Sequence, residues 1–293
     1  MSTSSAQHSD KRPIKRPIVS LLRYPGGKSY LYGTLRSIVR GNTLTNGTYI
    51  EPYAGGAGAA LGLLITGQVS EVALNDLDPA IYAFWRATVS QPGSFDEKIR
   101  DAKLDVPEWE RQRSIYLNAD RDDFLQLGFA TFYLNRTNRS GALNGGPIGG
   151  KKQTGNYKID ARFNKVALRE RLRLIALYAK RISITNRDGR EVIQEYAERD
   201  DVLIYADPPY FDKAGSLYLN SFTPADHADL AICLNGLSSA KWVLTYDNVP
   251  QVVELYPDRR QQLVSLNYSA HRVMKAQEIM VLSDSLVEPG DSV

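Results

Sequence analysis

Short apolar runs alternate with segments of helical periodicity along most of the chain. Consecutive apolar and β-branched residues are typical of buried strands, whereas apolar residues spaced three or four apart indicate helices. The predicted strands cover residues 48–51, 69–74, 181–185, 202–206, 242–246, 262–266 and 277–282. Helical patterns lie between most of these runs, and this alternation predicts an α/β fold.

The stretch between the second and third predicted strands is long and mainly helical. Helical spacing continues from residue 80 to about 126 and again over 124–134, and a polar, glycine-rich and basic loop follows at 135–152. Such a loop is too long for a simple connection, so we expect it to carry function, a disordered insertion being the alternative. Its side chains suited to base edges and phosphates are Arg136, Asn138, Arg139, Asn144, Lys151 and Lys152.

The tetrad Asp207-Pro208-Pro209-Tyr210 directly follows the predicted strand 202–206. Two consecutive prolines stiffen the backbone at this corner. The Asp207 carboxylate and the Pro208 carbonyl then offer two acceptors to one amino group, and the Tyr210 ring offers a face for a flat ring to stack on. The tetrad therefore indicates a site for the exocyclic amine of a nucleobase, with an ordinary strand-to-loop corner as the alternative.

A glycine-rich turn and an aspartate follow the first two strands. Tyr53 and Gly56 belong to the turn after strand 48–51, where glycines let backbone approach a ligand closely. Asp76 lies at the end of the second strand, in position to accept hydrogen bonds from ribose hydroxyls. Asp76 is alternatively a helix N-cap, although Asp78 before Pro79 is the better candidate for that role.

Composition bounds the remaining classes of function. The 293 residues include 43% hydrophobic and 24% charged residues with a net charge of +3, and no uninterrupted apolar stretch is long enough for a membrane span. The first residues lack the apolar core of a signal peptide, so we expect a cytoplasmic protein. One cysteine and three scattered histidines give no reason to expect a metal site.

Positive charge is concentrated in one segment. Residues 151–173 contain eight lysines and arginines against two acidic residues. This excess favours contact with a phosphate backbone, and a solvated helix face is the alternative.

Five motifs in order give the chain a resemblance to the Dam-type (D12 class, alpha-group) DNA adenine methyltransferases over nearly its whole length. They are the turn from Tyr24 to Lys28, Glu51-Pro52-Tyr53 with its glycines, Asn75-Asp76, residues 133–137, and Asp207 to Tyr210 with Tyr218 and Phe222 beyond. The resemblance implies a Rossmann-like sheet that binds S-adenosylmethionine (AdoMet), formed by residues 18–85 and 166–293. It also implies a mainly helical DNA target-recognition insert at 86–165, and residues 1–17 are expected to be a disordered basic tail.

The resemblance further implies the chemistry. AdoMet would be the cofactor, double-stranded DNA the partner, and a flipped adenine the acceptor of a directly transferred methyl group, with Asp207, Pro208 and Tyr210 as catalytic residues. The residues expected to contact the cofactor are Tyr24, Lys28, Tyr53, Gly56, Asp76, Asp188 and Asp207.

Three alternatives remain open at this level: methylation of the cytosine exocyclic amine, an RNA substrate, and a DNA-binding relative without activity. The loop after Arg136 departs from the short aromatic-Asn-Gly-Leu segment of better-known relatives, so no recognition sequence is inherited.

Overall fold

A seven-stranded sheet organises the molecule. The computed structural model describes residues 19–23, 28–118, 120, 122–211, 222–270 and 272–287. Its strands are β1 (Thr48–Glu51), β2 (Glu71–Asn75), β3 (Ile182–Thr185), β4 (Val202–Ala206), β5 (Trp242–Asp247), β6 (Arg260–Ala270) and β7 (Arg272–Leu282). All seven predicted strands are confirmed, although β6 and β7 are longer than predicted because they form one extended hairpin.

Ten α-helices lie in the described part of the chain. They are α1 (Tyr32–Gly41), α2 (Gly58–Ile65), α3 (Pro79–Ser90), α4 (Pro92–Asp101), α5 (Val106–Asn118), α6 (Phe124–Thr137), α7 (Lys165–Leu177), α8 (Gly189–Tyr196), α9 (Pro224–Asn235) and α10 (Pro250–Leu255). Local chemistry sets several starts. Asp78 caps α3 ahead of Pro79, as predicted. Thr223 and Asp226 form a capping box at α9.

The sheet order is β3-β2-β1-β4-β5-β7-β6. β1 to β5 run parallel, and β7 is antiparallel to both β5 and β6. The chain builds outward in one direction from β1 through β2 to β3 and in the other through β4 to β5. Ligands of such sheets bind outside the carboxyl ends of the strands at this switch point. The expected site therefore lies beyond the ends of β1 and β4.

Each face of the sheet buries its own hydrophobic core, because successive strand residues point to opposite sides. Tyr49 of β1 belongs to the core that contains residues of α1, α2, α3, α6 and α7, and the next residue, Ile50, belongs to the core that contains residues of α8, α9 and α10. Phe95 and Phe132, from the long connection between β2 and β3, pack into the first of these cores together with Tyr49. The division of the chain at residues 85 and 165 stays a prediction.

In the described ranges, no helix combines the length and apolar character needed to cross a membrane.

Candidate active site

The polar residues predicted at the strand ends meet at one edge of the sheet. Asp76 joins the ends of β1 and β2, since its Oδ2 accepts a hydrogen bond from the Gly55 amide at 2.9 Å and its Oδ1 accepts one from the Asp78 amide at 3.0 Å. Gly55 has a φ of 45°, a left-handed conformation that glycine adopts without strain. Burial, together with the charge of Asp78, raises the pKa of Asp76 to about 7. Asp76 is thus poised to titrate near neutrality.

Asn75 is a residue of this edge whose role the sequence did not indicate. Its Nδ2 donates to the Pro52 and Arg187 carbonyls, at 2.9 Å each, and its Oδ1 accepts from the Arg187 amide at 3.0 Å. It therefore fixes the turns after β1 and β3 relative to each other.

Tyr53 and Asp188 lie side by side beyond β1 and β3. A Cβ atom on Gly189 would fall 2.6 Å from the Tyr53 ring, so only glycine permits this packing. Asp188 caps α8 through the Arg190 amide at 2.8 Å and pairs with the Arg190 guanidinium at 2.7 Å, and these contacts lower its pKa. The Gly56 carbonyl accepts from the Ser20 hydroxyl at 2.6 Å. Tyr24, expected on the cofactor side, lies outside the described residues.

Asp207 follows β4 and pairs with a buried lysine. The Lys28 Nζ lies 3.0 Å from its Oδ1, with the two side chains 5% and 23% exposed. Burial raises the pKa of Asp207 to about 6, and Lys28 opposes this rise. Burial lowers the pKa of Lys28, but Asp207 and Glu278 together outweigh burial and the net direction is upward. Asp207 is the more accessible member of the pair.

Glu278 of β7 is a further member of this cluster that sequence analysis did not identify. Its Oε1 lies 3.3 Å from the Lys28 Nζ and accepts a hydrogen bond from the Tyr210 hydroxyl, which is itself bonded to Lys28. The Tyr210 ring is only 8% exposed and packs 6.5 Å from the Tyr246 ring. Stacking of Tyr210 on a base would require greater exposure of the ring than this structure has, and that role stays a prediction.

A second support of Asp207 comes from β5. The Thr245 hydroxyl donates to the Asp207 Oδ1 at 3.0 Å and lies 2.7 Å from the Tyr205 hydroxyl. Both residues are almost fully buried. Hydrogen bonds therefore hold Asp207 at the carboxyl end of β4, beside the switch point of the sheet.

Two of the loop residues expected on DNA are interior, which corrects their assignment. Helix α6 extends to Thr137, three residues beyond the predicted end, and turns Arg136 inward, where its Nε donates to the Leu21 carbonyl at 2.6 Å. Burial lowers the pKa of Arg136 to about 9. Asn138 is 0% exposed and accepts from the Trp109 indole at 2.7 Å. Both side chains hold the loop in place.

The loop is ordered rather than a disordered insertion. Asn138 and Pro147 form an antiparallel bridge, and the Asn138 Nδ2 donates to the Ala142 carbonyl at 2.8 Å. Gly141 has a φ of 78°, and a Cβ atom there would fall 2.5 Å from the Arg23 carbonyl oxygen. The loop thus packs against the segment that precedes Lys28.

A comparison with family models now gives the chain its class. Residues 24–274 match the model of the D12 class N6 adenine-specific DNA methyltransferases. The chain belongs to this family. It is therefore a Rossmann-like, AdoMet-dependent methyltransferase specific for adenine in DNA, as its sequence predicts.

Two solved structures of the rRNA methyltransferase aviRa from Streptomyces viridochromogenes are similar to this adenine methyltransferase. Each is 15% identical in sequence, and each alignment covers 95% of this chain and 96% of the aviRa chain. The TM-scores are 0.43 and 0.41. At these scores neither neighbour carries a conclusion about the methyltransferase. No curated protein sequence matches it significantly.

The strand-end residues fit the AdoMet that the family implies. Asp76 offers carboxylate oxygens beside the left-handed Gly55, and such oxygens are acceptors suited to the hydroxyls of a ribose. The Tyr53 hydroxyl is buried without a hydrogen-bond partner among the described residues, so a polar group of a ligand has a place to bind there.

The surface residues of the loop at 135–152 line a cleft against α5. Arg139, Asn144 and Lys151 face α5 residues Trp109 and Arg113 across a volume of about 690 Å³. The Arg113 guanidinium lies 5.3 Å from the Trp109 ring centre, and the Lys151 Nζ lies 5.8 Å from it. Sequence analysis assigned no chemistry to α5, because an isolated tryptophan and arginine on a helix are typical of a core and a solvated face.

Three of the eight basic side chains in segment 151–173 of this methyltransferase form ion pairs within the protein. Arg169 and Arg173 both pair with Asp96, at 2.7 and 3.8 Å, and Lys151 pairs with Glu110 at 2.9 Å. These three cations are thus paired within the protein, while Lys152 is exposed.

Among the described residues, no cluster of three or more His, Cys, Asp and Glu side chains could hold a metal ion. His227 instead contacts the Tyr246 hydroxyl at 2.7 Å through its Nδ1.

Proposed function

We propose that this enzyme methylates adenine in duplex DNA with AdoMet as donor, and that Asp207, Pro208 and Tyr210 act on the flipped base. The observation that carries the proposal is the position of Asp207. Its carboxylate follows β4 at the sheet's switch point, is held there by Lys28 and Thr245, and remains 23% exposed in an otherwise buried cluster. AdoMet, when bound, supplies the electrophilic methyl group.

Asp207 and Pro208 activate the target amine. The amine is conjugated with the ring and weakly nucleophilic, so the residues must localise its lone pair. Hydrogen bonds donated by the amine to the ionised Asp207 carboxylate and to the Pro208 carbonyl draw its nitrogen toward tetrahedral geometry. The two prolines keep the acceptors aligned with the amine. This alignment increases the rate of methyl transfer because the reacting groups are already oriented.

Flipping makes the amine accessible, because the amine of a base inside the duplex is paired and out of reach. Unstacking the base costs only a few kcal/mol. Tyr210 is the candidate stacking residue for the flipped base.

The remaining strand ends hold the cofactor in this proposal. Asp76 accepts from ribose hydroxyls, Tyr53 and Gly56 form the wall beyond β1, and Asp188 meets the adenine of the cofactor. Support comes from the shared edge of the sheet and from the Asn75 hydrogen bonds that tie its turns together. Tyr24 and Lys28 are the N-terminal candidates for the same ligand.

DNA contact is assigned to the exposed loop residues Arg139, Asn144, Lys151 and Lys152. Arg136 and Asn138 are left out because their side chains are buried. Basic and amide side chains on an ordered loop suit phosphate and base contacts. Residues 86–165 then act as the target-recognition segment.

The decisive experiment replaces Asp207. We expect Asp207→Ala to abolish methyl transfer to DNA while AdoMet binding, measured by calorimetry, is only partly weakened. Asp258→Ala, which removes an exposed carboxylate on the turn before β6, is the matched control and should retain activity. Wild-type turnover by the Asp207 variant would refute the assignment.

Mass analysis of nucleosides from treated DNA identifies the product. N6-methyladenine is expected, and competition with structured RNA distinguishes the substrate. Transfer only to RNA would contradict the proposal.

A further inference from the structure

Four arginines from distant parts of the chain come together at the segment 19–23. The Arg136 Nε and the Arg171 Nη1 donate hydrogen bonds to backbone carbonyls of this segment, at 2.6 and 3.3 Å. Arg23 belongs to the segment itself, and burial, together with the charge of Arg162, lowers its pKa. The four guanidinium groups therefore form one cluster of positive charge.

Like charges face one another in this cluster without an acid between them. Within the described ranges, no carboxylate forms an ion pair with any of the four arginines. Burial, together with the charges of Arg171 and Arg23, lowers the pKa of Arg136 to about 9. Burying a cation beside other cations is unfavourable unless an anion compensates. The cluster is therefore suited to an anion from outside the chain.

The neighbouring arginines of α7 are neutralised, which sets the cluster apart. Arg169 and Arg173 pair with Asp96, at 2.7 and 3.8 Å. Arg171 is two residues from each of them, and side chains two apart on a helix do not face each other. Acidic charge thus compensates one side of α7, while Arg171 on another side donates to a backbone carbonyl.

We propose that Arg23, Arg162 and Arg171 bind one phosphate of the DNA backbone, with Arg136 behind them contributing its charge. The proposal rests on the proposed function, which brings duplex DNA to the protein. Arg162 is exposed and Arg23 and Arg171 are half-buried, so a phosphate can reach them from solvent. Arg136 is 7% exposed and acts through its charge.

The donors of these side chains suit a phosphate. A guanidinium has five N–H groups, and the hydrogen bonds of Arg23 and Arg171 inside the protein each use one Nη1 atom. The other N–H groups are available to phosphate oxygens, with which arginine forms charge-assisted and often bidentate hydrogen bonds.

The cluster lies beside the parts of the protein that hold the site. The Arg23 Nη1 donates to the Asn138 carbonyl at 3.3 Å, and the Ser20 hydroxyl donates to the carbonyl of Gly56 in the turn after β1. Lys28 follows Arg23 by five positions, so their Cα atoms are at most about 18 Å apart. One turn of duplex DNA spans about 34 Å, so a single duplex reaches both places. Such a contact positions the DNA without reading its sequence.

The test is a phosphate scan on a duplex that the wild type methylates. Each backbone phosphate in turn is replaced by an uncharged methylphosphonate, and affinity is measured by fluorescence anisotropy. Replacement at the proposed position should weaken wild-type binding at least about tenfold, because charge-assisted hydrogen bonds are lost. In the double variant Arg162→Ala/Arg171→Gln the same replacement should cost less than about threefold, since the two partners are already absent. Losses at other positions should be retained.

Two single variants complete the design. Arg162→Ala changes an exposed side chain and should show a smaller reduction at the same position, so the test stays decisive if the double variant does not fold. Arg40→Gln is the matched control, because it removes an exposed arginine at the end of α1, close to the start of β1. Its profile should equal that of the wild type.

Three results would overturn the proposal. The first is a double variant with the wild-type profile at every position, and the second is an Arg162→Ala profile without any reduction. The third is a loss of AdoMet affinity in the double variant, measured by calorimetry, with an unchanged phosphate profile. That result would assign the arginines to the carboxylate of the cofactor.

The proposed function and this inference fail differently. Absence of DNA methylation by the wild type refutes the function itself. A wild type that methylates DNA, together with a double variant of identical phosphate profile, refutes only the phosphate site.

Discussion

The Thr245 hydroxyl donates a hydrogen bond to the Asp207 carboxylate across β5 and β4, with 3.0 Å between the Thr245 Oγ1 and the Asp207 Oδ1. A threonine hydroxyl has one hydrogen, and it is used in this bond. The Tyr205 hydroxyl, 2.7 Å from the Thr245 Oγ1, must therefore be the donor in the second bond. The resulting chain, Tyr205 to Thr245 to Asp207, polarises toward the carboxylate and stabilises its ionised form.

Removal of the Thr245 hydroxyl should shift the pH dependence of methylation upward. Asp207 accepts the amine hydrogen bonds as a carboxylate, so activity falls as pH falls through its pKa of about 6. Thr245→Val removes a donor that favours ionisation, and the pKa of Asp207 then rises. We expect the acid limb of the kcat/KM profile, measured from about pH 5 to about pH 8, to move to higher pH.

Tyr205→Phe is the control for this shift. It removes the distal donor but leaves the bond between Thr245 and Asp207, so its acid limb should move less than that of Thr245→Val. Equal profiles for wild type and Thr245→Val would contradict the role of this hydrogen bond.

Asp76 predicts a pH dependence of cofactor binding. Burial raises its pKa to about 7, so the side chain is protonated below that pH and ionised above it. The ionised carboxylate is the better acceptor for ribose hydroxyls, and AdoMet affinity should therefore increase from about pH 6 to about pH 8. Calorimetric titrations of wild type and Asp76→Asn measure this, with a weaker and flatter response expected for the variant.

Asp188 supplies the comparison for Asp76. The Arg190 guanidinium lowers the pKa of Asp188, so this carboxylate is ionised throughout the same range. Asp188→Asn should retain the wild-type increase in affinity with pH. Loss of the increase in Asp188→Asn, or its retention in Asp76→Asn, would assign the titration to another group.

The positions of Asp76, Asp188 and Asp207 followed from the sequence because each lies within three residues of the end of a recognisable strand. Parallel strands place their carboxyl ends at one edge, so three local patterns were sufficient to bring distant residues together. The capping role of Asp78 was predictable for the same reason, since a cap is a local interaction.

Glu278 and Thr245 could not be recognised in this way. Both lie inside runs that simply predict strands, and their partners are 250 and 38 residues away along the chain. A strand pattern does not indicate which of its polar side chains contacts a charged group elsewhere in the fold. Arg136 was misjudged for a different reason, because its polar neighbours suggested a loop while tertiary packing extended α6 by almost one turn.

Asn135 connects the loop at 135–152 to the segment that precedes Lys28, and should be important for stability. Its Oδ1 accepts from the Arg23 amide at 2.7 Å, and its Nδ2 donates to the Arg23 and Gly141 carbonyls at 2.9 and 3.0 Å. Asn135→Ala leaves these buried groups unpaired, and we expect a loss of roughly 2 kcal/mol or more in the free energy of unfolding. Urea denaturation measures it. Asn118→Ala at the exposed end of α5 should cost much less.

The cleft between α5 and the loop at 135–152 leads to a prediction about DNA affinity. Arg139 and Lys151 are exposed on its rim, and a cation that neutralises a phosphate releases a counterion. Arg139→Ala and Lys151→Ala should each weaken DNA binding and make the dependence of log affinity on log salt concentration shallower by about 1. Fluorescence anisotropy at several salt concentrations measures both quantities.

Lys180→Ala is the matched control for the cleft variants. Lys180 is exposed just before β3, at the amino-end edge of the sheet and opposite to the strand ends that carry the site. Its removal changes the net charge equally but should leave the salt dependence unaltered, because distant charges are screened within about 10 Å. If all three variants changed the slope alike, the effect would come from total charge, and the cleft would have no particular role in binding DNA.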